Sequence, residues 1–426
     1  MTGSAGKLRA LDGYVADSCY PSQFHQSFQP SWTDWNLERR GLAAPRTGRK
    51  PFKLVDLGCG DAHGLLLTAA SHPEGQFVGI DAAPEHIARG HELAVAAGLT
   101  NVELRCADFR RARHFADESA DYVTAQGVLA WVSPQNRSRL LDLAARWLRP
   151  GGAFTLGYNA CPGWGRLAPF QKLVHALAQS ASGTSSQRFT AALNRIRGDG
   201  MLPSEFWEWF DAQTDRHPPE YFAHEYLNDH WNPCWSSDVV SGMVQRGFAY
   251  VGQAIAVRLR EDLYLKPEWR QTLATIGDAP TRELATDLLA DTWYRHDIYV
   301  KSPTAPGPAL HALTNRWWTL AALPEDIKYR MTTPAGDISF DNDAARSIVH
   351  RLEPGPGQLS TINAFTAADL LNSIDAMYMA GLAIPADPPG DPATATRFNA
   401  VLTARGRPVN AVASAHGAIT AYRRGS

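Results

Sequence analysis

The sequence predicts an α/β protein built on a doubly wound, parallel sheet, because short apolar runs alternate with amphipathic helical patterns from Lys53 onward. The run KLVDL leads into a glycine-rich turn, and the similar run QFVGID follows after one helical pattern. The next helical pattern, PEHIARGHELAVAAGL, begins with a proline and ends at Gly98, as helix termini prefer. Apolar strands joined by helical crossovers become parallel neighbours in one sheet.

Five strands and three connecting helices are predicted in this part of the chain. Residues 64–71 form the helix after the first strand, and QNRSRLLDLAARWLRPGG forms a helix that Pro-Gly-Gly closes. In chain order the strands are KLVDLGCG, QFVGID, NVELRCAD, ADYVTAQG and AFTLGY. Because these strands are parallel, their carboxyl ends meet along one edge of the sheet.

The composition excludes several classes of protein. A chain of 426 residues favours two or three lobes over a single core. The formal net charge of -2 gives no reason to expect a nucleic acid or an anionic membrane as partner. The five cysteines include no C-x-x-C pair, so neither zinc nor a disulfide framework is expected. We find no apolar signal segment and no apolar run of the roughly 18 residues that a membrane helix needs, so we expect a cytoplasmic protein.

Carboxylates end three of the five predicted strands, at Asp56, Asp81 and Asp108. Buried strands normally end in neutral turn residues, and ligands of doubly wound sheets bind outside the carboxyl ends of the strands. Each aspartate alone could simply cap a helix. The three together indicate a ligand site.

The same strand ends favour S-adenosylmethionine over a dinucleotide. Gly58 and Gly60 match the dinucleotide fingerprint, but the large His63 occupies its third glycine position, and Asp56 would repel a pyrophosphate. S-adenosylmethionine carries an ammonium, a sulfonium and ribose hydroxyls; Asp81 is the candidate for the hydroxyls and Asp108 for the adenine amino group. The predicted cofactor-binding residues are Asp56, Gly58, Cys59, Gly60, Asp81, Ala82, Asp108, Phe109, Gln126, Gly127 and Val128.

A family resemblance extends this interpretation. The pattern VDLGCG…VGID…CAD…GVLAWV resembles class I S-adenosylmethionine-dependent methyltransferases. YPSQFHQSFQP, YNACPGW and the stretches around PPEYFAHEYLNDHW and DAPTRELATDLLADTWYRHDIYVKSP resemble bacterial methyltransferases with a regulatory domain, across residues 14–302. That family includes rickettsial protein-lysine methyltransferases. Gln126 stands where those lysine methyltransferases have His, which leaves the acceptor open.

The resemblance implies a Rossmann-like, seven-stranded sheet and a transferase that converts S-adenosylmethionine to S-adenosylhomocysteine. SSDVVSGMVQRGFAYVGQA would supply one more helix and the sixth strand, and HDIYVKS the last strand. The expected acceptor is a protein or peptide amine. The alternatives are a small-molecule or peptide natural-product methyltransferase, and a non-catalytic binding protein that kept the fold.

Four segments are expected. Residues 1–50 would fold over the cofactor mouth, 51–164 would form the cofactor-binding core, and 165–302 would hold helical insertions and the closing strands. Residues 303–426 would form a separate α+β, winged-helix-like lobe, with the helix ALHALTNRWWTLAAL, paired strands DIKYRMTT and GDISF, and the helix TAADLLNSIDAMYMAGL. We expect this lobe to serve docking or homodimerisation, since it has no basic stripe for a nucleic acid.

Aromatic and amide side chains after strand five predict the acceptor site. A turn needs only Pro162 and Gly163, yet Tyr158 and Asn159 precede them. An amine acceptor needs a desolvating pocket more than a dedicated base, whereas a hydroxyl or thiol acceptor would need a base such as His25 or Glu225. A packed aromatic turn is the alternative. No metal is expected, since HEYLN lacks the second His of H-E-x-x-H. The predicted catalytic residues are Tyr158, Asn159, Trp131 and Tyr20.

Overall fold

A computed structural model describes residues 11–17, 20–112, 116–405 and 411–420. Its centre is a seven-stranded sheet in the order β3-β2-β1-β4-β5-β7-β6. The strands are β1 (Lys53–Leu57), β2 (Gln76–Asp81), β3 (Val102–Cys106), β4 (Ala120–Gln126), β5 (Leu148–Asn159), β6 (Phe248–Gln253) and β7 (Tyr294–Lys301). Strands β1 to β5 are parallel, and β7 runs antiparallel to both β5 and β6. The predicted α/β fold with a doubly wound, Rossmann-like sheet is confirmed.

Strand order reverses between β1 and β4, so the carboxyl ends of these two strands form the switch point of the sheet. Asp56 pairs in register with Thr124 there, and Gln126 ends β4. The predicted strand five was too short at both ends: β5 begins at Leu148, and its pairing with β4 contains a register shift between Ala120 and Tyr122.

Helices cover both faces of the sheet and fill the predicted insertions. Five of them, α5 to α9, lie between β5 and β6, and three more separate β6 from β7. The helices are α1 (Pro30–Arg39), α2 (His63–Ser71), α3 (Pro84–Ala96), α4 (Pro134–Trp147), α5 (Ala168–Gln179), α6 (Ser185–Gly198), α7 (Ser204–Thr214), α8 (Pro219–Tyr226), α9 (Ser236–Val244), α10 (Glu261–Tyr264), α11 (Pro267–Ala274), α12 (Ala279–Ala290), α13 (Asp343–Leu352), α14 (Ala367–Met379) and α15 (Ala393–Ala404). None of these described helices is long and apolar enough to cross a bilayer.

The first insertion has an aromatic core of its own. Phe170, Phe189, Phe210, Phe222 and Tyr226 are buried together, with the rings of Phe189 and Phe222 stacked 5.7 Å apart. This packing holds α8 against α5 and α6, close to the carboxyl end of β5.

The C-terminal region differs from the prediction. The hairpin of β9 (Arg330–Thr333) with β10 (Gly336–Ser339) and the helix α14 are confirmed. The predicted helix ALHALTNRWWTLAAL is instead a short 3-10 turn, Leu310–Asn315, followed by the strand β8 (Trp317–Leu320). Aromatic and β-branched residues favour strands, and the segment is stabilised as a strand by pairing. Strand β8 pairs with β11 (Gly357–Gln358) and with β12 (Ala383–Ala386). The winged-helix-like description depended on that helix, so it does not fit these elements.

This region shares a core with the sheet instead of forming a separate lobe. Trp318 and Tyr378 are fully buried in the same cluster as Leu66 of α2. Helix α1 lies between the two parts: the ring of Trp35 lies 4.7 Å from that of Trp318, and the ring of Trp32 lies 4.5 Å from that of Tyr378.

Buried ion pairs reinforce this junction. The Nη2 atom of Arg46 donates to Asp387 Oδ2 at 2.8 Å, and His72 Nε2 lies 3.1 Å from the same oxygen. The Arg46 side chain is only 2% exposed, and its other acidic neighbour is Asp34, at 3.4 Å. Asp387 therefore joins the C-terminal region to α2 and to the segment before β1.

Replacing Asp387 with Ala should lower the free energy of unfolding by about 3–5 kcal/mol, because it leaves the buried Arg46 guanidinium without its nearest carboxylate. Chemical denaturation measures this change. The exposed Glu353→Ala is the matched control and should stay within about 0.5 kcal/mol of the unmodified protein. Equal, small changes in both variants would contradict a shared core.

Candidate active site

A cavity of about 450 Å³ opens at the carboxyl ends of β1, β2, β4 and β5. Its volume suits one small-molecule ligand. All eleven residues predicted to bind the cofactor line this cavity, together with three of the four predicted catalytic residues. Those lining residues are Asp56, Gly58, Cys59, Gly60, Asp81, Ala82, Asp108, Phe109, Gln126, Gly127, Val128, Tyr20, Trp131 and Asn159.

The glycine-rich loop after β1 forms the floor of the cavity. Gly58 has a φ of +80°, and a Cβ atom there would lie 2.3 Å from the side chain of Val128. The backbone N–H groups of Gly58 and Cys59 donate to the carbonyl of Ile80 at 2.7 and 3.1 Å. Only glycine allows the loop to approach β4 this closely, so the backbone itself faces the ligand space.

Asp81 ties this loop to the next strand end. Its carboxylate accepts hydrogen bonds from the backbone N–H groups of Gly60 and Ala83, both at 2.9 Å. The ring Nδ1 of His86 lies 3.5 Å from Oδ1. These contacts hold the carboxylate in one orientation at the cavity wall.

Asp56 and Asp108 sit in contrasting surroundings. Burial raises the pKa of Asp56 to about 7, although its oxygen accepts a hydrogen bond from Thr124 at 2.9 Å. Asp108 accepts two hydrogen bonds from the Arg110 guanidinium, at 2.9 and 2.7 Å, which lower its pKa. Arg110 is more than half exposed, so it can move aside for a ligand.

Acidic side chains dominate the charged lining of the cavity. Six carboxylates line it, and no Lys or Arg does so among the residues that the structure describes. A cationic ligand is favoured in such a site, and an anionic one is disfavoured. The six are Asp12, Asp56, Asp61, Asp81, Asp108 and Glu225.

Five residues of the N-terminal segment, 20–23 and 25, line the cavity. Ser22 donates to Asp61 Oδ2 at 2.5 Å, and Tyr20 donates to Glu225 Oε1 at 3.0 Å. The segment thus connects the glycine-rich loop to helix α8 of the insertion.

Asn159 and aromatic rings form the end of the cavity nearest β5. Asn159 is 4% exposed and pairs in register with Tyr294 of β7. Trp131 packs edge to face on Trp164, with their ring centroids 5.9 Å apart. Tyr221 of α8 lines the same end.

Tyr158, predicted beside Asn159, does not line the cavity. It is fully buried on the opposite face of β5, and its hydroxyl donates to Asp297 Oδ2 at 2.6 Å. Successive side chains of a strand point to opposite faces, so two neighbours cannot both face one ligand. Tyr158 is therefore a core residue, and the prediction that it is catalytic is wrong.

The sequence did not predict Tyr294 or Asp61 as residues of the site. It predicted Glu225 only as a possible base, and only for a hydroxyl or thiol acceptor. Tyr294 lies just before the predicted strand HDIYVKS, but only its antiparallel register with β5 brings it beside Asn159. Glu225 is distant along the chain from every strand end. The one sequence signal was its place in a segment that resembles the regulatory domain.

Comparisons with known proteins agree with this geometry. Residues 54–152 match the family described as a methyltransferase domain, and residues 218–301 match a predicted methyltransferase regulatory domain. An uncharacterised protein of Rickettsia prowazekii is 32% identical over 186 residues, 42% of this chain and 73% of that protein. An uncharacterised protein of Synechocystis is 26% identical over 376 residues, 85% of this chain and 74% of that protein. PKMT2 from Rickettsia typhi in complex with AdoHcy has a TM-score of 0.67 at 18% identity, over 89% of this chain and 82% of that chain.

The fold and these matches define a class I methyltransferase whose cofactor is S-adenosylmethionine. Within that class, the chain belongs to the methyltransferases that carry a regulatory domain. The donor set of the cavity fits the cofactor, since the carboxylates complement its ammonium, sulfonium and ribose hydroxyls.

We propose that Asp81 accepts hydrogen bonds from the ribose hydroxyls, that Asp56 faces the methionine ammonium and that Asp108 lies at the adenine amino group. Replacing Asp81 with Ala should weaken S-adenosylhomocysteine binding at least tenfold, because each hydrogen bond to a charged acceptor contributes roughly 1.5–3 kcal/mol. Calorimetric titration gives the affinity. The exposed Glu85→Ala on α3 is the control and should bind normally. Unchanged affinity in Asp81→Ala would refute the assignment.

Proposed function

We propose that this methyltransferase acts on an amine of a protein or peptide, of the kind that a lysine side chain presents. The observation that carries this proposal is the charge of the cavity, which six carboxylates line without a described Lys or Arg. An alkylammonium group is attracted into such a site. A small-molecule acceptor with several carboxylates is disfavoured there, because no Lys or Arg lines the cavity among the described residues.

The walls at the β5 end suit the same acceptor. Trp131, Trp164, Tyr221 and Tyr294 provide aromatic faces and edges around Asn159. Aromatic faces attract an ammonium group by about 0.5–2 kcal/mol, depending on desolvation. Removal from water also lowers the pKa of an amine, which favours the neutral, nucleophilic form.

The resemblance of the motifs to rickettsial-type protein-lysine methyltransferases supports the same acceptor class. We assign one end of the cavity to the cofactor and the end nearest β5 to the acceptor. The cofactor supplies an activated methyl group when it is bound. The chain positions the nitrogen: Asn159 offers an amide oxygen to an N–H of the acceptor, and the aromatic walls exclude water. Well-oriented reactions gain on the order of 7–11 kcal/mol from such positioning.

Product analysis tests the proposal. The purified protein is incubated with tritiated S-adenosylmethionine and a dialysed bacterial protein extract, and the protein fraction is hydrolysed in acid. Label should appear in ε-N-methyllysine and should be lost with Asp81→Ala. Label in base-labile methyl esters, in nucleic acid or in a dialysable small molecule would refute an amine of a protein as the acceptor.

Replacing Asn159 with Ala should lower methyl transfer about a hundredfold at saturating cofactor, since one misplaced orienting contact costs that much. Cofactor affinity should stay unchanged, because Asn159 lies beyond the strand ends proposed for ribose and adenine. The neighbouring Tyr158→Phe is a matched control: it removes a hydroxyl from the opposite face of β5. Tyr158→Phe should lose stability while keeping its turnover. Normal turnover in Asn159→Ala, or collapse of cofactor binding, would contradict this role.

A further inference from the structure

We propose that Glu225 accepts the proton that the acceptor amine must lose before methylation, so that the helical insertion supplies the base of the reaction. This inference rests on the proposed amine acceptor. It gives helix α8, at the start of the matched regulatory domain, a direct part in the chemistry.

Glu225 points into the cavity with one oxygen unused. The residue is 4% exposed and lines the cavity beside Asn159 and Tyr294. Its Oε1 atom accepts the hydrogen bond from Tyr20, whereas Oε2 is buried and no donor among the described residues meets it in hydrogen-bond geometry. A buried carboxylate oxygen without a partner is costly, which indicates that a ligand donor completes its hydrogen bonding.

The backbone holds this carboxylate in place. Trp231 Nε1 donates to the carbonyl of Glu225 at 2.9 Å, and Gln171 of α5 donates to the carbonyl of Tyr226 at 3.1 Å. These bonds, and the aromatic core of the insertion behind them, fix the end of α8 at the cavity wall. Glu225 is thus positioned before any acceptor arrives.

The surroundings of Glu225 suit a residue that accepts a proton near neutral pH. Burial raises its pKa to about 7, while the Tyr20 hydroxyl and the nearby Asn159 amide work in the opposite direction. The titratable groups that face it are Tyr20 of the N-terminal segment, Tyr221 and Tyr226 of α8, and Tyr294 of β7, and the ring of His224 packs edge to face on that of Tyr20. Burial raises the pKa of each of these four tyrosines, so they remain neutral near pH 8.

Proton transfer to Glu225 balances without another reactant. A lysine ammonium starts near pKa 10.4 and has no free electron pair. Its N–H bond breaks, the proton joins Oε2, and nitrogen keeps the electron pair. The ion pair becomes a neutral amine and a neutral carboxylic acid, which a desolvated aromatic site favours over separated charges. The acid then returns its proton to solvent.

His25 is the other candidate base, and its contacts argue against it. It lines the cavity, but its Nε2 atom is paired with Gln23 Oε1 at 3.1 Å. Burial lowers its pKa to about 4, which makes the ring a weaker base than Glu225.

The pH dependence of Glu225→Gln distinguishes a base from a structural residue. The variant keeps the shape of the side chain and the partner of Tyr20 but cannot take a proton. Formation of ε-N-methyllysine in the dialysed protein extract is measured from pH 6 to pH 10 at saturating S-adenosylmethionine. Glu208→Gln, an exposed change on α7 of the same insertion, is the control.

In Glu225→Gln we expect a loss of about a hundredfold at pH 7, as general bases typically contribute at least that much. The loss should shrink as the pH rises, because hydroxide then deprotonates the amine directly. Affinity for S-adenosylhomocysteine, measured by calorimetry, should stay within twofold of the unmodified protein, which also shows that the variant is folded. Glu208→Gln should follow the unmodified protein throughout.

Two results would overturn this role. Full activity in Glu225→Gln at pH 7 would show that no base acts there, and an equal loss at every pH would assign Glu225 to structure alone. Failure of the proposed amine acceptor gives a different result from failure of the role of Glu225. In that case the unmodified protein forms no ε-N-methyllysine, whatever Glu225→Gln does.

Discussion

The antiparallel pairing of β7 with β5 is the constraint on which the site depends. It sets Tyr294 opposite Asn159 and continues to Val300 opposite Ala153. A buried arginine, Arg295, fixes this pairing to the second insertion. Its guanidinium donates to Asp287 and Glu283 of α12, both at 2.7 Å, and to Asp297 at 2.9 Å.

This buried cluster also explains the position of Asn159. Tyr158 donates to Asp297, so the residue before Asn159 is locked on the core face of β5. Removing one partner from a buried ion-pair cluster leaves an uncompensated buried charge, which typically lowers the free energy of unfolding by about 3–5 kcal/mol. Successive side chains of a strand point to opposite faces, so Asn159 faces the cavity on the other side of β5. The regulatory domain, residues 218–301, thus contributes to the site both directly, through Glu225, and through this support.

Like charges in the cavity create a second constraint. Burial raises the pKa of Asp56, and the nearby carboxylate of Asp81 raises it further. Neutral walls would bind a cation less well, whereas neighbouring carboxylates repel one another unless a cation lies between them. A positively charged cofactor relieves that repulsion, so the arrangement favours S-adenosylmethionine over an anionic ligand.

The sequence by itself determined the sheet and the cofactor end of the site. Strand and helix periodicity and the position of Gly58 are local signals, and carboxylates at the ends of parallel strands must meet because the topology leaves them no other edge. The end of the cavity proposed for the acceptor was decided by the tertiary structure. Which face of β5 Tyr158 occupies, whether Trp317–Leu320 becomes a strand, and whether Glu225 reaches the cavity depend on register and packing between distant segments. A one-residue difference in register reverses every side chain of a strand, and no local pattern records which register long-range pairing selects.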